Sequence, residues 1–159
     1  MQDLQRIASL NRGRAGAAAT ALAALTLAGC GSEPSNDVPV ECKVAPAALV
    51  RALERAPGDV RLGGRRVSEC FAPGTDAGDE QALGLAIVPA AERLAPQARA
   101  HPVGPAALRL GFLVGAVHRG AARGIVYAEL ERRVRQERTG VNTASPAYRR
   151  GLRAGMAHG

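Results

Sequence analysis

The chain has 159 residues, a formal net charge of +7, 47% hydrophobic and 3% aromatic residues, and no tryptophan. That length is enough for one domain, and with only Phe71, Phe112, Tyr127 and Tyr148 as aromatics its core must be built from Leu, Val and Ala, with modest area buried per helix. The charge is divided: residues 31–92 hold ten acids and six bases, whereas residues 93–159 hold three acids and twelve bases.

In chain order, residues 1–14 carry Arg6, Arg12 and Arg14 against a single acid, Asp3. The uncharged run AGAAATALAALTL follows at 15–27. Its length fits the apolar segment of an export signal and falls short of the roughly 20 residues that span a bilayer. Gly13 separates Arg12 from Arg14, so general secretion is expected over a twin-arginine route. The run ends in Leu27-Ala28-Gly29-Cys30, which resembles the lipobox of bacterial lipoproteins. The resemblance implies cleavage before Cys30 and acylation of its thiol with palmitate-type chains, the thiolate being nucleophilic enough to take the lipid. Each buried methylene contributes about 0.8 kcal/mol, so two or three chains hold a protein stably on a membrane. Residues 1–29 are therefore expected to be a lipoprotein signal peptide. Residues 30–41 are expected to be the lipidated Cys and a flexible tether of turn composition, and residues 42–159 a small helical domain.

With Cys30 acylated, Cys42 and Cys70 remain. An even pair of thiols in an exported chain predicts a disulfide. Closing a loop of about 29 residues is worth about 3.5 kcal/mol in the chain-entropy model. A zinc site would need more ligands nearby, and a redox pair would sit as C-x-x-C.

The mature region reads as four to five short helices with at most one β-hairpin, a mainly α bundle stapled by one disulfide. In residues 45–58, Pro46 starts a helix, Leu49, Val50 and Leu53 share a face, and Pro57-Gly58 stops it. Residues 59–71 change period: Val60 and Leu62 alternate with Arg61, Gly63-Gly64 can turn, and Val67 resumes. Asp79 is expected to cap a helix over 79–100 with Leu83, Ile87, Ala90 and Leu94 on one face, kinked or divided at Pro89, with Pro96, Pro102 and Pro105 breaking the chain beyond it. Residues 105–122 form the most apolar helix, with Leu110, Leu113, Val114 and Val117 as its stripe. Gly111 and Gly115 are spaced there for close packing on a neighbour, and Gly120 and Gly124 end the segment. Residues 125–138 are amphipathic, with Val126, Leu130 and Val134 inward and the pairs Glu129–Arg133 and Glu131–Arg135 at ion-pair spacing. Ser145 and Pro146 open a last helix that lines up Tyr148, Leu152 and Met156 and carries Arg149, Arg150 and Arg153 with no acid.

The stretches VRLGGRRVSECF, LGFLVGAVHRGA and YAELERRV make the mature chain similar to small Ala/Arg-rich lipoproteins of actinobacterial type, a group that offers no catalytic motif to carry over. The residues themselves offer little catalysis either. His118 is the one histidine inside a predicted helix, but a base needs a nucleophile and an orienting group. The candidate hydroxyls, Ser68 and Ser145, have simpler roles at a turn and a cap. No metal, cofactor or catalytic motif is expected, and export with few aromatics argues against nucleic acid as a partner. The expectation is a non-catalytic envelope lipoprotein, held to the cell membrane on its extracytoplasmic side through its N-terminal acyl chains and engaging another envelope protein. The alternative is electrostatic binding of anionic lipid or cell-wall polymer through the basic half, with Arg149, Arg150 and Arg153 first in line. A hydrolase centred on His118 is the third reading.

Overall fold

A computed structural model describes residues 37–159. The expected signal, Cys30 and the first part of the tether lie outside those residues. Among the described residues there are five helices: α1 (Pro46–Ala52), α2 (Ala77–Ala100), α3 (Pro105–Ala121), α4 (Ala128–Glu137) and α5 (Pro146–His158). A two-stranded antiparallel hairpin, β1 (Arg61–Leu62) and β2 (Arg65–Arg66), sits between α1 and α2. This is the mainly α bundle with one hairpin that the sequence predicts.

Among the described residues, packing begins ahead of Cys42. Val38 is buried, and the 3-10 turn Val40–Cys42 follows it. The N-terminal stretch therefore forms a strap on the domain from Val38 onward. The hairpin pairs Arg61 with Arg66 and Leu62 with Arg65. Gly63 and Gly64 have φ of 53° and 91°, the left-handed pair that a two-residue turn of type I′ requires. Val60, Leu62 and Val67 are all buried, so the alternation turns one side of the hairpin to the core.

Helix α2 departs from expectation at both its start and its middle. Its cap is Asp76, whose side chain accepts from the Asp79 backbone N–H at 2.8 Å; Asp79 lies inside the first turn. The helix runs unbroken from Ala77 to Ala100 with both Pro89 and Pro96 inside it. Each proline removes a donor, but Leu83, Ile87, Ala90, Ala91, Leu94 and Ala98 are buried along one face on either side of Pro89. Burial holds both halves to the same core, and helical stability in proteins comes mainly from such packing. The break comes instead at His101–Gly104, where Pro105 opens α3 as its first residue.

Helix α3 is the axle of the molecule, buried continuously from Leu110 to Val117 and packed against α2, α4, α5 and the 3-10 turn Val67–Cys70. Gly120 does not end it; that glycine is buried against the Phe71 ring, and the helix continues to Ala121. The tightest packing is between α3 and α5. Gly111 lies against the backbone of Tyr148 and Leu152, and Gly115 against that of Leu152 and Met156. Reciprocally, Gly151 lies against Leu108 and Phe112, and Gly155 against Phe112 and Ala116. Numbers rise together on both helices, so they run parallel, with α4 as the crossover. A Cβ at any of the four would overlap the facing backbone. The close approach predicted from Gly111 and Gly115 thus has its partner in α5.

The Ser145 hydroxyl caps α5 by accepting from the Tyr148 N–H at 3.2 Å. Met156 leaves the expected apolar stripe and is 45% exposed. Residues four apart drift about 40° around a helix. Tyr148 is therefore buried, Leu152 half-buried and Met156 turned outward.

Candidate functional site

The three groups singled out by sequence reasoning fall in three different places. The first is the disulfide. Cys42 and Cys70 are bonded, with Cα atoms 5.6 Å apart, and both are fully buried. The bond clips the strap to the turn Val67–Cys70. Asp79 clips it again: its carboxylate accepts from the Val38 backbone N–H at 2.7 Å and from Lys43 Nζ at 2.6 Å. The Lys43 hydrogen bond first, and the Val38 N–H second, hold the Asp79 carboxyl below its usual range, and Asp79 raises the Lys43 ammonium in turn. The Glu41–Arg65 pair, at 3.7 Å, adds a looser contact between strap and hairpin.

The second is His118, on the last turns of α3. Its Nδ1 lies 2.8 Å from Glu131 Oε1 on α4, and Arg135 reaches the same oxygen at 3.6 Å. An ionised carboxylate only accepts, so Nδ1 carries the proton and donates. The two residues flank a groove of about 520 Å³ whose lining includes Arg123, Gly124 and Ile125 and carries no hydroxyl or thiol. Ser68 is buried and donates to the Gly159 carbonyl oxygen, and Ser145 is the α5 cap. The structure therefore gives His118 an orienting carboxylate and brings neither candidate hydroxyl to it. Among the described residues, no group of three or more His, Cys, Asp or Glu is placed to hold a metal ion. No helix there is long and apolar enough to cross a membrane.

The third is the arginine trio of α5. Arg149, Arg150 and Arg153 are all exposed and occupy the side of the helix opposite the Gly151/Gly155 seam. None of the ion pairs among the described residues involves them. Arg93, Arg109, Arg123 and Arg138 are likewise in none of those pairs but stand singly, whereas the remaining arginines of the basic half are committed to partners. Arg99 donates from Nε to the Thr139 carbonyl at 2.9 Å and from Nη2 to that of Glu137 at 3.3 Å, closing the C-terminal end of α4. Arg119 donates from Nη1 to the carbonyls of Met156 and Ala157, closing the end of α5. Arg132 and Arg133 hold Glu129 at 2.6 and 3.0 Å. Hydrogen bonds from Arg132 and then Arg133 push the Glu129 carboxyl down to about 2. The predicted pairs Glu129–Arg133 and Glu131–Arg135 are both present.

Sequence reasoning passed over one residue that the structure makes prominent. Ile125 is 95% exposed, in the 3-10 turn that enters α4. The signal was available: Ile125 stands one residue off the Val126–Leu130–Val134 stripe, which places it away from the buried face.

No protein-family model, no curated protein and no solved structure matches this chain.

Proposed function

We propose that this chain is a lipid-anchored, non-catalytic interaction module of a bacterial cell envelope. In this reading Cys30 carries the acyl chains, and the helical body on the extracytoplasmic face meets a protein partner around Ile125. The Leu27-Ala28-Gly29-Cys30 sequence supports the anchor. The Cys42–Cys70 bond supports an oxidising compartment, where such bonds persist.

The observation that carries the role is Ile125. A branched apolar side chain 95% exposed beside an apolar-lined groove loses nothing on being covered and contributes on the order of 1.5–3 kcal/mol when it is. Arg123 and Glu131 at the rim of that groove supply polar contacts of both signs, the usual arrangement of an apolar centre and a charged edge. A hydrolytic reading draws no support from the same groove, because its lining holds a base and no nucleophile.

The test has two arms. Intact-mass measurement of the membrane-extracted chain should show acyl mass on residue 30 that disappears in Cys30→Ala; an unmodified thiol there ends the anchor reading. A photo-reactive residue at position 125 should then yield one discrete adduct with an envelope protein in intact cells, lost in cells lacking that protein. The same probe at exposed Arg93 should yield none. No adduct, or equal adducts from both positions, ends the interaction reading.

A further inference from the structure

We propose that the outer face of α5 is a docking surface for an anionic lipid bilayer, formed by Arg149, Arg150 and Arg153 with Met156 at its edge; it rests on the reading that Cys30 holds the chain at a membrane. At 100° per residue the three arginines fall within an arc of about 100°, centred away from the seam that buries Gly151 and Gly155 against α3. They form one exposed patch.

The patch is uncompensated, and its clustering distinguishes it from Arg93, Arg109, Arg123 and Arg138, which make no ion pair among the described residues either but stand singly. Arg99 and Arg119 are committed to helix-end carbonyls, and Arg132, Arg133 and Arg135 to Glu129 and Glu131. Helix α5 contains no acid, and neither does α3, the helix packed against it. The three acids of residues 93–159 are all on α4. Three guanidiniums within a Debye length of one another, with no carboxylate on either helix, present a positive field to an anionic surface.

Met156 decides for a bilayer over a soluble polyanion. It is 45% exposed, three residues after Arg153 and on the same side of the helix as Arg149. A flexible apolar side chain beside guanidiniums suits the boundary between headgroups and acyl chains, where basic side chains meet phosphates and the thioether leaves water. A hydrated polymer offers Met156 no such gain.

The experiment uses the mature chain, residues 30–159, carrying Cys30→Ser so that neither acyl chains nor the signal segment dominates, sedimented with vesicles of phosphatidylcholine alone or mixed equally with phosphatidylglycerol, across a salt series. The expected result is stronger partition into the anionic vesicles, weakening with salt. The Arg149→Gln/Arg150→Gln/Arg153→Gln variant should lose about a hundredfold of that partition, at about fivefold per guanidinium, and keep its partition into phosphatidylcholine. The control variant Arg51→Gln/Arg55→Gln/Arg93→Gln removes the same charge from exposed sites elsewhere and should partition like the parent. Met156→Gln should weaken anionic binding by an amount that salt does not screen. Three results overturn the proposal: a loss under tenfold, an equal loss in the control, or competition by soluble polyphosphate as strong as that by vesicles at matched ionic strength. The anchor is read separately, since the acyl mass on residue 30 of the native chain does not depend on the arginines.

Discussion

One carboxylate, that of Asp79, joins the strap to α2 through the Val38 N–H and the Lys43 ammonium. Both partners favour the ionised form, so the folded-state pKa lies below the ordinary carboxyl value, which the unfolded chain keeps. A depressed carboxyl contributes stability that is fully present above the unfolded pKa and lost as pH falls through the folded one. Asp79→Asn should therefore melt below the parent at pH 7, and the gap should close as pH falls below about 4; a gap independent of pH in thermal melts would show that charge plays no part. Arg99 and Arg119 illustrate the opposite case at the same scale. Their side chains close the ends of helices roughly 40 residues away along the chain. Nothing in the local sequence distinguishes them from the solvated arginines of α5. Helix ends leave carbonyls without intrahelical partners, but which arginine serves which end is a tertiary fact.

At the scale of elements, the parallel seam between α3 and α5 sets two known effects against each other. Helix propensity favours Ala over Gly in a helix interior by about 0.8–1.0 kcal/mol. At Gly155 a Cβ would overlap the Phe112 carbonyl and crowd the Ala116 nitrogen. Moving backbone is costlier than gaining propensity, so Gly155→Ala should destabilise by about 1–3 kcal/mol or more. At Gly84 on α2 the nearest atom to a new Cβ is Leu130 Cδ1 at 3.8 Å, an ordinary contact. Gly84→Ala should stabilise by about 0.5–1 kcal/mol. Chemical denaturation of the two variants reads opposite signs from one substitution type, and matching signs would refute the seam. The seam was half legible. Gly111 and Gly115 stand out in an apolar helix, but Gly151 and Gly155 sit among the three arginines of α5, where they read as ordinary small residues. The cap at Ser145 and the Gly63-Gly64 turn were legible because their causes are local. The expected division at Pro89 does not occur for the converse reason: its local penalty is real, and burial along the whole face of α2 outweighs it.

Across the molecule, the contrast between an acidic first half and a basic second half has two different origins. Part of the basic charge is consumed internally by helix ends and by the carboxylates of α4; of the remainder, Arg93, Arg109, Arg123 and Arg138 stand singly and Arg149, Arg150 and Arg153 cluster on α5. Net charge alone could not separate the two, which is why the sequence pointed to Arg149, Arg150 and Arg153 without showing that they stand apart. The disulfide acts at this scale as well, because it ties together segments whose other links are few and partly exposed. Val38 and Cys42 are buried, but apart from the Cys42–Cys70 bond the strap is held by Asp79 and a 3.7 Å pair between Glu41 and Arg65. Replacing both Cys42 and Cys70 with Ala restores about 29 residues of loop freedom to the unfolded chain, worth about 3.5 kcal/mol. Native domains have on the order of 5–15 kcal/mol in total, so a core this poor in aromatics should lose a large share of its stability. In urea titrations the unfolding free energy of the double variant should fall by that amount, and the midpoint in proportion. Amides of residues 38–44 should exchange faster than those of α3, because α3 keeps its backbone seam with α5 while the strap keeps the Asp79 bonds, the Glu41 pair and the burial of Val38. A loss below about 1 kcal/mol would mean that helix packing alone holds the fold, and the chain would then be as stable in a reducing compartment as outside the cell.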